Sequence, residues 1–342
     1  MAATKDNPTY TVYLIENSST KYNITPAVIS ISMSNQDNQV AQRVEITAAN
    51  IKIATGKTSK ALCSLFEVRK RVFIYANDGE KKEEVFRGFT WTKYHETDLE
   101  TNEGRITCYD NLIYLQESED SLYFSKGKKT KSVISNICKK WGIKLNYTYS
   151  SITHSKLVLR GTLTDIMMSE ILDKVKRRTG NKYVIYSQKD VMNVAPVGSN
   201  SKIYEITSKH NAIVARHETT MDGMVTKVKI LGQANKNTKN LPVVATVKGD
   251  TKKYGTLQKL QDAEYKDKNI KLAAAKKEAR YTIKKDGKPK KEIIIEAVDI
   301  PWIKKGDAVK VKAGHVSGNK LIVAGIERDI SNKKKTMTLT IK

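Results

Sequence analysis

Two stretches near opposite ends of this 342-residue chain carry the same strand pattern. In the first, Val72 and Ile74 alternate with other residues, Val85-Phe86-Arg87-Gly88-Phe89 leads into a long polar run, and residues 105–109 (RITCY) close it. In the second, Val309 and Val311 alternate, Ile322-Val323-Ala324-Gly325-Ile326 follows, and residues 337–341 (MTLTI) close it. The glycine stands sixteen residues after the first valine in both. Glycine inside a strand marks a bend or bulge, as at a barrel corner. The same corner at the same spacing predicts two copies of one small β-barrel, with Gly88 on Gly325 and Val72 on Val309. Three chains would then present six similar units around an axis.

The rest of the pattern fits around those copies. Residues 9–17, 27–34, 42–50, 69–78, 83–98 and 104–110 alternate or are rich in β-branched residues, as strands are. Asp78-Gly79 reads as a hairpin turn, and residues 102–104 as the turn between the last two strands. Helical spacing begins at Tyr109, and Asp110 can cap a short helix carrying Leu112, Ile113 and Leu115. A second helix has Thr130 as N-cap and Val133, Ile134, Ile137, Cys138 and Trp141 on one stripe, with Gly142 ending it. A third spans 164–179, striped by Met167, Met168, Ile171, Leu172 and Val175 and stopped by Gly180. Short strands at 143–147, 156–159, 182–186 and 191–195 surround these helices. Strands return at 211–220 and 225–232, a helical pattern rich in Ala and Lys spans 267–281, and residues after Pro289 are β again.

The fold class is therefore mainly β with α+β insertions. The expected parts are a first barrel (1–115), a small α+β domain (116–200), a second barrel (201–234 with 292–342) and a basic insertion with a helix (235–291). Residues 225–232 are assigned to the second barrel, with partners arriving only after Pro289.

Charge asks for a partner. There are 61 Lys and Arg against 36 Asp and Glu, a formal net charge of +25. Residues 235–291 hold 17 of those cations and only six of the acids. Lys284, Lys285, Lys288, Lys290 and Lys291 are the candidate partner-contact residues. Nearly all the cations are lysine, a point charge and not a fork for base edges, and aromatics are not interleaved with them. The balance suggests nucleic acid, an anionic surface or an acidic protein partner, while the runs 126–131, 174–178, 284–291 and 333–335 read first as solvated lysine-rich loops. Nucleic acid is the weaker partner reading.

Motifs for chemistry are thin. HETDL at His95 and HETTM at His217 start like a zinc protease signature, but the second histidine position holds Leu99 and Met221, and both segments read as strand. Residues 249–256 lack the Gly-Lys-Ser/Thr core of a phosphate loop, and no G-x-S-x-G elbow occurs. Glu83-Glu84 sits in an expected solvated hairpin, away from any acid/base pairing. Trp141 and Trp302 read as packing residues, and Met167 and Met168 as core; Trp91 is left as a candidate glycan contact. No catalytic residue, cofactor or metal is expected. Cys63, Cys108 and Cys138 are odd in number and far apart, which excludes a disulfide framework and predicts a reduced, cytoplasmic folding environment. No run approaches the ~20 apolar residues of a membrane span, and residues 1–10 do not read as a secretory leader.

Residues 85–120, 159–186, 254–261 and the closing 304–341 resemble the baseplate hub proteins of contractile phage tails and phage-tail-like bacteriocins, of the XkdQ/YqbQ type. The likeness spreads from about Phe66 to the end. It departs at the closing hairpin, where the family often has a His or bulky residue and this chain has Asp329 and lysines. The resemblance implies a structural, non-enzymatic homotrimer in the tail baseplate of the particle, assembled in the bacterial cytoplasm. Its implied partners are the tail tube, the spike and other baseplate components, with no membrane. The rival readings are a non-specific nucleic-acid-binding protein gripping phosphates with 235–291, and a tail-tip cell-wall hydrolase.

Overall fold

The computed structural model describes residues 8–37, 39–56, 58–98, 102–233, 241–263, 265–266, 269–270 and 272–342. The chain divides into two compact units, Met1–Arg216 with Ile293–Lys342, and His217–Glu292.

The first unit opens with a six-strand block, block A. Its strands are β1 (Thr9–Ile15), β2 (Val28–Asn35), β3 (Arg43–Ala49), β4 (Arg71–Asn77), β5 (Lys82–Thr97) and β6 (Asn102–Tyr109). Period-two alternation forms them: Tyr10, Val12 and Leu14, or Val72, Ile74 and Ala76, point inward while their neighbours face out. Asn102 and Gly104 already belong to β6, so residues 102–104 are strand and not the expected turn; residues 99–101 lie outside the described set.

A small α+β part follows, with its own core. It holds β7 (Glu119–Phe124), α1 (Thr130–Lys140), β8 (Lys144–Tyr147), β9 (Leu157–Thr162), α2 (163–179), β10 (Tyr183–Gln188) and β11 (Val191–Pro196). Val133, Ile134, Ile137, Met167, Ile171, Leu172 and Val194 fill it. Two details differ from expectation. Lys129, not Thr130, is the N-cap of α1; the Thr130 hydroxyl instead reaches the Ile152 carbonyl and the His154 ring. In α2, Ile166–Leu172 winds as a π-helix, and Gly180 ends the helix at φ 76°.

Block B begins with β12 (Tyr204–Thr207) and β13 (Ala212–Thr220). The second unit interrupts it. There β14 (Lys227–Leu231) pairs with β15 (Val243–Lys248) and β16 (Gln258–Asp262), and α3 (Leu272–Asp286) packs Ala275, Ala279 and Ile283 on Val228 and Ile230. This corrects the assignment of 225–232 to the second barrel. The alternation of Val228 and Ile230 reads the same in either sheet, and partners arrive within about thirty residues, before Pro289. The unit boundary lies at 217, where 235 was expected; residue 235 and the expected helix start at 267, 268 and 271 are outside the described residues.

Block B then resumes with β17 (Lys290–Val298), β18 (Ala308–Ala313), β19 (Val316–Ser331) and β20 (Lys335–Ile341). Its strand order is β13-β17-β20-β19-β18-β12; block A runs β2-β3-β6-β5-β4-β1, the same arrangement in the same chain order. One edge differs: β1 is antiparallel to β4, whereas β12 is parallel to β18. The two blocks are joined edge to edge. The outer half of β19 pairs with β2, from Ile326 opposite Asn35 to Ser331 opposite Ser30; with the short strand Lys21–Asn23 added on the edge of β1, this makes one 13-stranded sheet and one contiguous buried cluster.

The registers decide which residues correspond. Thr92 opposes Thr107, and Gly325 opposes Thr340; both long strands bulge against the last strand just before those pairs. A constant offset of 233 residues therefore relates β5 to β19 and β6 to β20. Val72 opposes Gly88 and Val309 opposes Leu321, so Val72 does match Val309. Gly88, however, matches Leu321, and Gly325 matches Thr92. The equal spacing was a coincidence: six residues separate Ala76 from Glu83 in the first hairpin, but only Gly314 and His315 separate Ala313 from Val316 in the second. The repeat is real in topology and register, and the glycines do not mark it.

Candidate assembly surfaces

A buried polar network lies where the blocks join. Alternation along β19 puts Ile326, Arg328 and Ile330 on the inward face, so the arginine enters the apolar layer. Its Nε donates to Asp299 Oδ1 at 2.9 Å, and its Nη2 reaches the carbonyls of Ile303 at 2.5 Å and Ile300 at 3.2 Å. The Tyr10 hydroxyl of β1 donates to the other Asp299 oxygen. Burial pushes the Asp299 carboxyl up, opposed by the guanidinium beside it. Nearby, Lys305 Nζ donates to the carbonyls of Gln36 (2.6 Å) and Gln39 (2.5 Å), tying the β2–β3 turn to block B, and burial pushes this ammonium down to about 8. Asp110, at the end of β6, accepts the amides of Gln42 and Leu112; burial still pushes its carboxyl up to about 7. Trp302 is buried as expected, its Nε1 donating to Asp78 Oδ2 at 2.5 Å.

Block A has the same framework with other chemistry. The Asp299 amide donates to the Lys335 carbonyl, and the Asn50 amide to the Asn102 carbonyl, which is Lys335 shifted by the same offset. Where block B places Arg328 on Asp299, block A therefore places His95 on Asn50, with a contact of 3.4 Å. His95 also lies 3.2 Å from Asn102 Oδ1 and 3.1 Å from Thr97 Oγ1, and it is exposed. No sequence motif singled out Arg328, Asp299, Lys305 or Asp110. The signal available was an arginine at an inward position of an apolar alternation.

The five candidate lysines are all exposed. Lys284 and Lys285 end α3, Lys288 sits in the turn after it, and Lys290 and Lys291 start β17. Cations there suit the negative end of the helix dipole. They form one run along the chain, with Lys290 Nζ lying over Gly223.

His95 and His217 sit in strands β5 and β13; Met221 follows β13, and Leu99 is outside the described residues. Among the described residues no cluster of three or more His, Cys, Asp or Glu could hold a metal ion. Glu84 is not solvated as expected: its side chain is buried against Arg87, 2.7 Å away, while Glu83 meets Lys81. Trp91 is exposed and makes edge-to-face contacts with Tyr109 and Tyr114. Trp141 is half-buried on the α+β core. No described helix is long and apolar enough to cross a membrane.

Comparison with known proteins matches residues 31–342 to the model of the YQBQ-like family. The phage-like element PBSX protein XkdQ of Bacillus subtilis (strain 168) is 24% identical over 317 residues, covering 91% of each chain. Among solved structures, the prophage MuSo2 43 kDa tail protein from Shewanella oneidensis superposes with a TM-score of 0.65 at 12% identity, covering 98% of both chains. The E. coli c3393 protein, a type VI secretion component described as similar to the T4 tail proteins gp27 and gp5, gives a TM-score of 0.56 at 10% identity. That match covers 96% of this chain and 76% of the other.

Proposed function

From the premise that the chain belongs to the YQBQ-like family, we propose that it is a structural baseplate hub of a contractile phage tail or headless tail-like bacteriocin. In this reading three copies form a ring joining the tail tube to the central spike. The observation that carries it is the repeat: two blocks of one strand order and register in each chain. Three chains then offer six near-equivalent units, suited to a sixfold tube. The parts present once per chain, the α+β part and the inserted unit, number three and suit a threefold spike. The names of its relatives, a phage-like element protein and a prophage tail protein, support the setting. The work is done by interfaces, without a covalent step. Light scattering and particle imaging test the ring. The expected result is a threefold assembly, alone or on meeting tube or spike; a stable twofold dimer in both free and assembled forms overturns it.

In the same reading the exposed lysines 284, 285, 288, 290 and 291 meet an acidic neighbour in the baseplate. Attraction of this kind speeds association and weakens with salt. Replacing Lys284, Lys285, Lys290 and Lys291 by Glu should leave the melting temperature nearly unchanged, because exposed changes move stability by about ±0.5 kcal/mol. The same variant should impair particle assembly. Normal assembly would assign those charges to solvation alone. Binding to DNA that falls steeply from low to moderate salt, and is lost in the variant, would favour the nucleic-acid reading instead.

A further inference from the structure

The chain contains one block-to-block joint, and its pseudo-symmetry specifies a second. In block B the long strand β19 uses one edge twice: its first half pairs with β18 and its outer half with β2 of block A. In block A the long strand β5 pairs with β4 over its first half only. Beyond Phe89 that edge has no strand partner among the described residues, and residues 91–97 are exposed, Trp91 at 40% and Tyr94 at 53%. The strand equivalent to β2 is β13, an end strand of the sheet with β17 as its neighbour. Each half of the joint seen inside the chain is thus present a second time without its mate among the described residues. Native folds rarely leave long strand edges uncovered, because such edges recruit another strand.

We propose that neighbouring copies of this chain join by pairing the outer half of β5 in one copy with β13 in the next, repeating the β19–β2 joint between molecules. This rests on the ring reading above and names the surfaces that build the ring. The contact is head-to-tail, the kind that closes into a ring when the rotation per step allows.

The chain's own registers give the pairing. Ala48 opposes Gly104 and Ala297 opposes Met337, so β17 matches β3 with Val298 at the place of Ala49. Val28 opposes Ala48, which puts Ala27 across from Ala49. In block B the Val298 amide donates to the Asn211 carbonyl, so Asn211 takes the place of Ala27. Burial agrees with that alignment. Val28 and Ala212 are half-buried against the core, Ile29 and Ile213 are exposed, and Ile31 and Ala215 both pack on the core. Ser32 then corresponds to Arg216. In the observed joint Ser32 opposes Asp329, whose match in β5 is Glu96. Transferred between copies, Glu96 faces Arg216 and Thr97 faces Ala215. Both charged residues are exposed, and neither makes an ion pair among the described residues. The register fixed by the repeat alone therefore sets an acid across from a base, a favourable cross-strand pair.

The test is a charge exchange followed by a covalent trap, in the full chain. Glu96→Arg and Arg216→Glu, made singly, should each raise the concentration needed for ring formation roughly tenfold; the double variant should restore it. Glu96→Cys with Arg216→Cys, in a Cys63→Ser background, should oxidise to covalent oligomers that stop at three copies, while either cysteine alone gives none. A ring that forms with silent single exchanges and no cross-link overturns the joint and leaves the ring reading standing. A chain that stays monomeric alone, with tube and spike proteins, and in tail particles overturns both.

Discussion

Blocks A and B place different pairs on the same framework. In block B the outer half of the long strand is covered by β2, and the pair at its centre is Asp299–Arg328, buried and held further by Tyr10 and the Ile303 carbonyl. In block A no described strand covers the matching half of β5, and the pair is Asn50–His95, with Asn50 half-buried, His95 exposed and a contact of 3.4 Å between them. A buried charge must be paired and hydrogen-bonded because desolvation is costly. An exposed position faces no such demand, so a buried charge pair is not required there. Covering, not strand order, decides the chemistry that each copy of the repeat carries.

The largest test of that contrast is Arg328→Met. It strands a buried carboxylate and should lower unfolding free energy by about 3–5 kcal/mol in urea melts. A loss no larger than that of a surface change would break the comparison. Next is the pH dependence around Asp110. Burial raises its folded value from 3.8 to about 7. The stability it contributes is present in full below pH 3.8 and is lost as pH rises through 7. Lys305, pushed down to about 8, remains largely charged in that window and does not offset the slope. Stability measured from pH 4 to 7 should therefore fall, and Asp110→Asn should flatten the curve.

Smaller effects separate the two glycines. A Cβ at Gly88 would strike the Tyr109 carbonyl oxygen, which is backbone and cannot swing away; at Gly325 it would meet Gln36 Oε1, the end of a flexible side chain. Gly88→Ala should cost about 1–3 kcal/mol and Gly325→Ala less than about 1. Equal costs would contradict the register that separates them. The smallest effect is His95→Ala, expected within about ±0.5 kcal/mol. A larger loss in the isolated chain would mean that β5 is already covered.

The sequence made some of this legible. The strands with strict alternation, the stripe of α1 and the stop at Gly180 follow from local periodicity, which the chain expresses residue by residue. Strand partners do not. Residues 225–232 looked like a barrel strand because Val228 and Ile230 alternate whichever sheet receives them. Sixteen residues from valine to glycine looked like a shared corner because spacing cannot see that one hairpin loop is four residues longer. Arg328 was legible only as an arginine at an inward position of an apolar alternation; that its strand is covered by β2 emerges from pairing. Of the candidate contacts, the lysines were legible as charge, whereas the β5 and β13 edges emerge only from pairing.

The β19–β2 joint also sets a timetable for synthesis. Ser30 pairs with Ser331, so about 300 residues must be made between the two sides of that seam. At ribosomal speeds of about 5–20 residues per second, β2 emerges roughly 15–60 s before its partner. During that interval the nascent chain displays a bare strand edge beside a partly formed core. Chains emerging close together on one messenger could pair there prematurely, so slower translation or crowded polysomes should raise the yield of misjoined dimers.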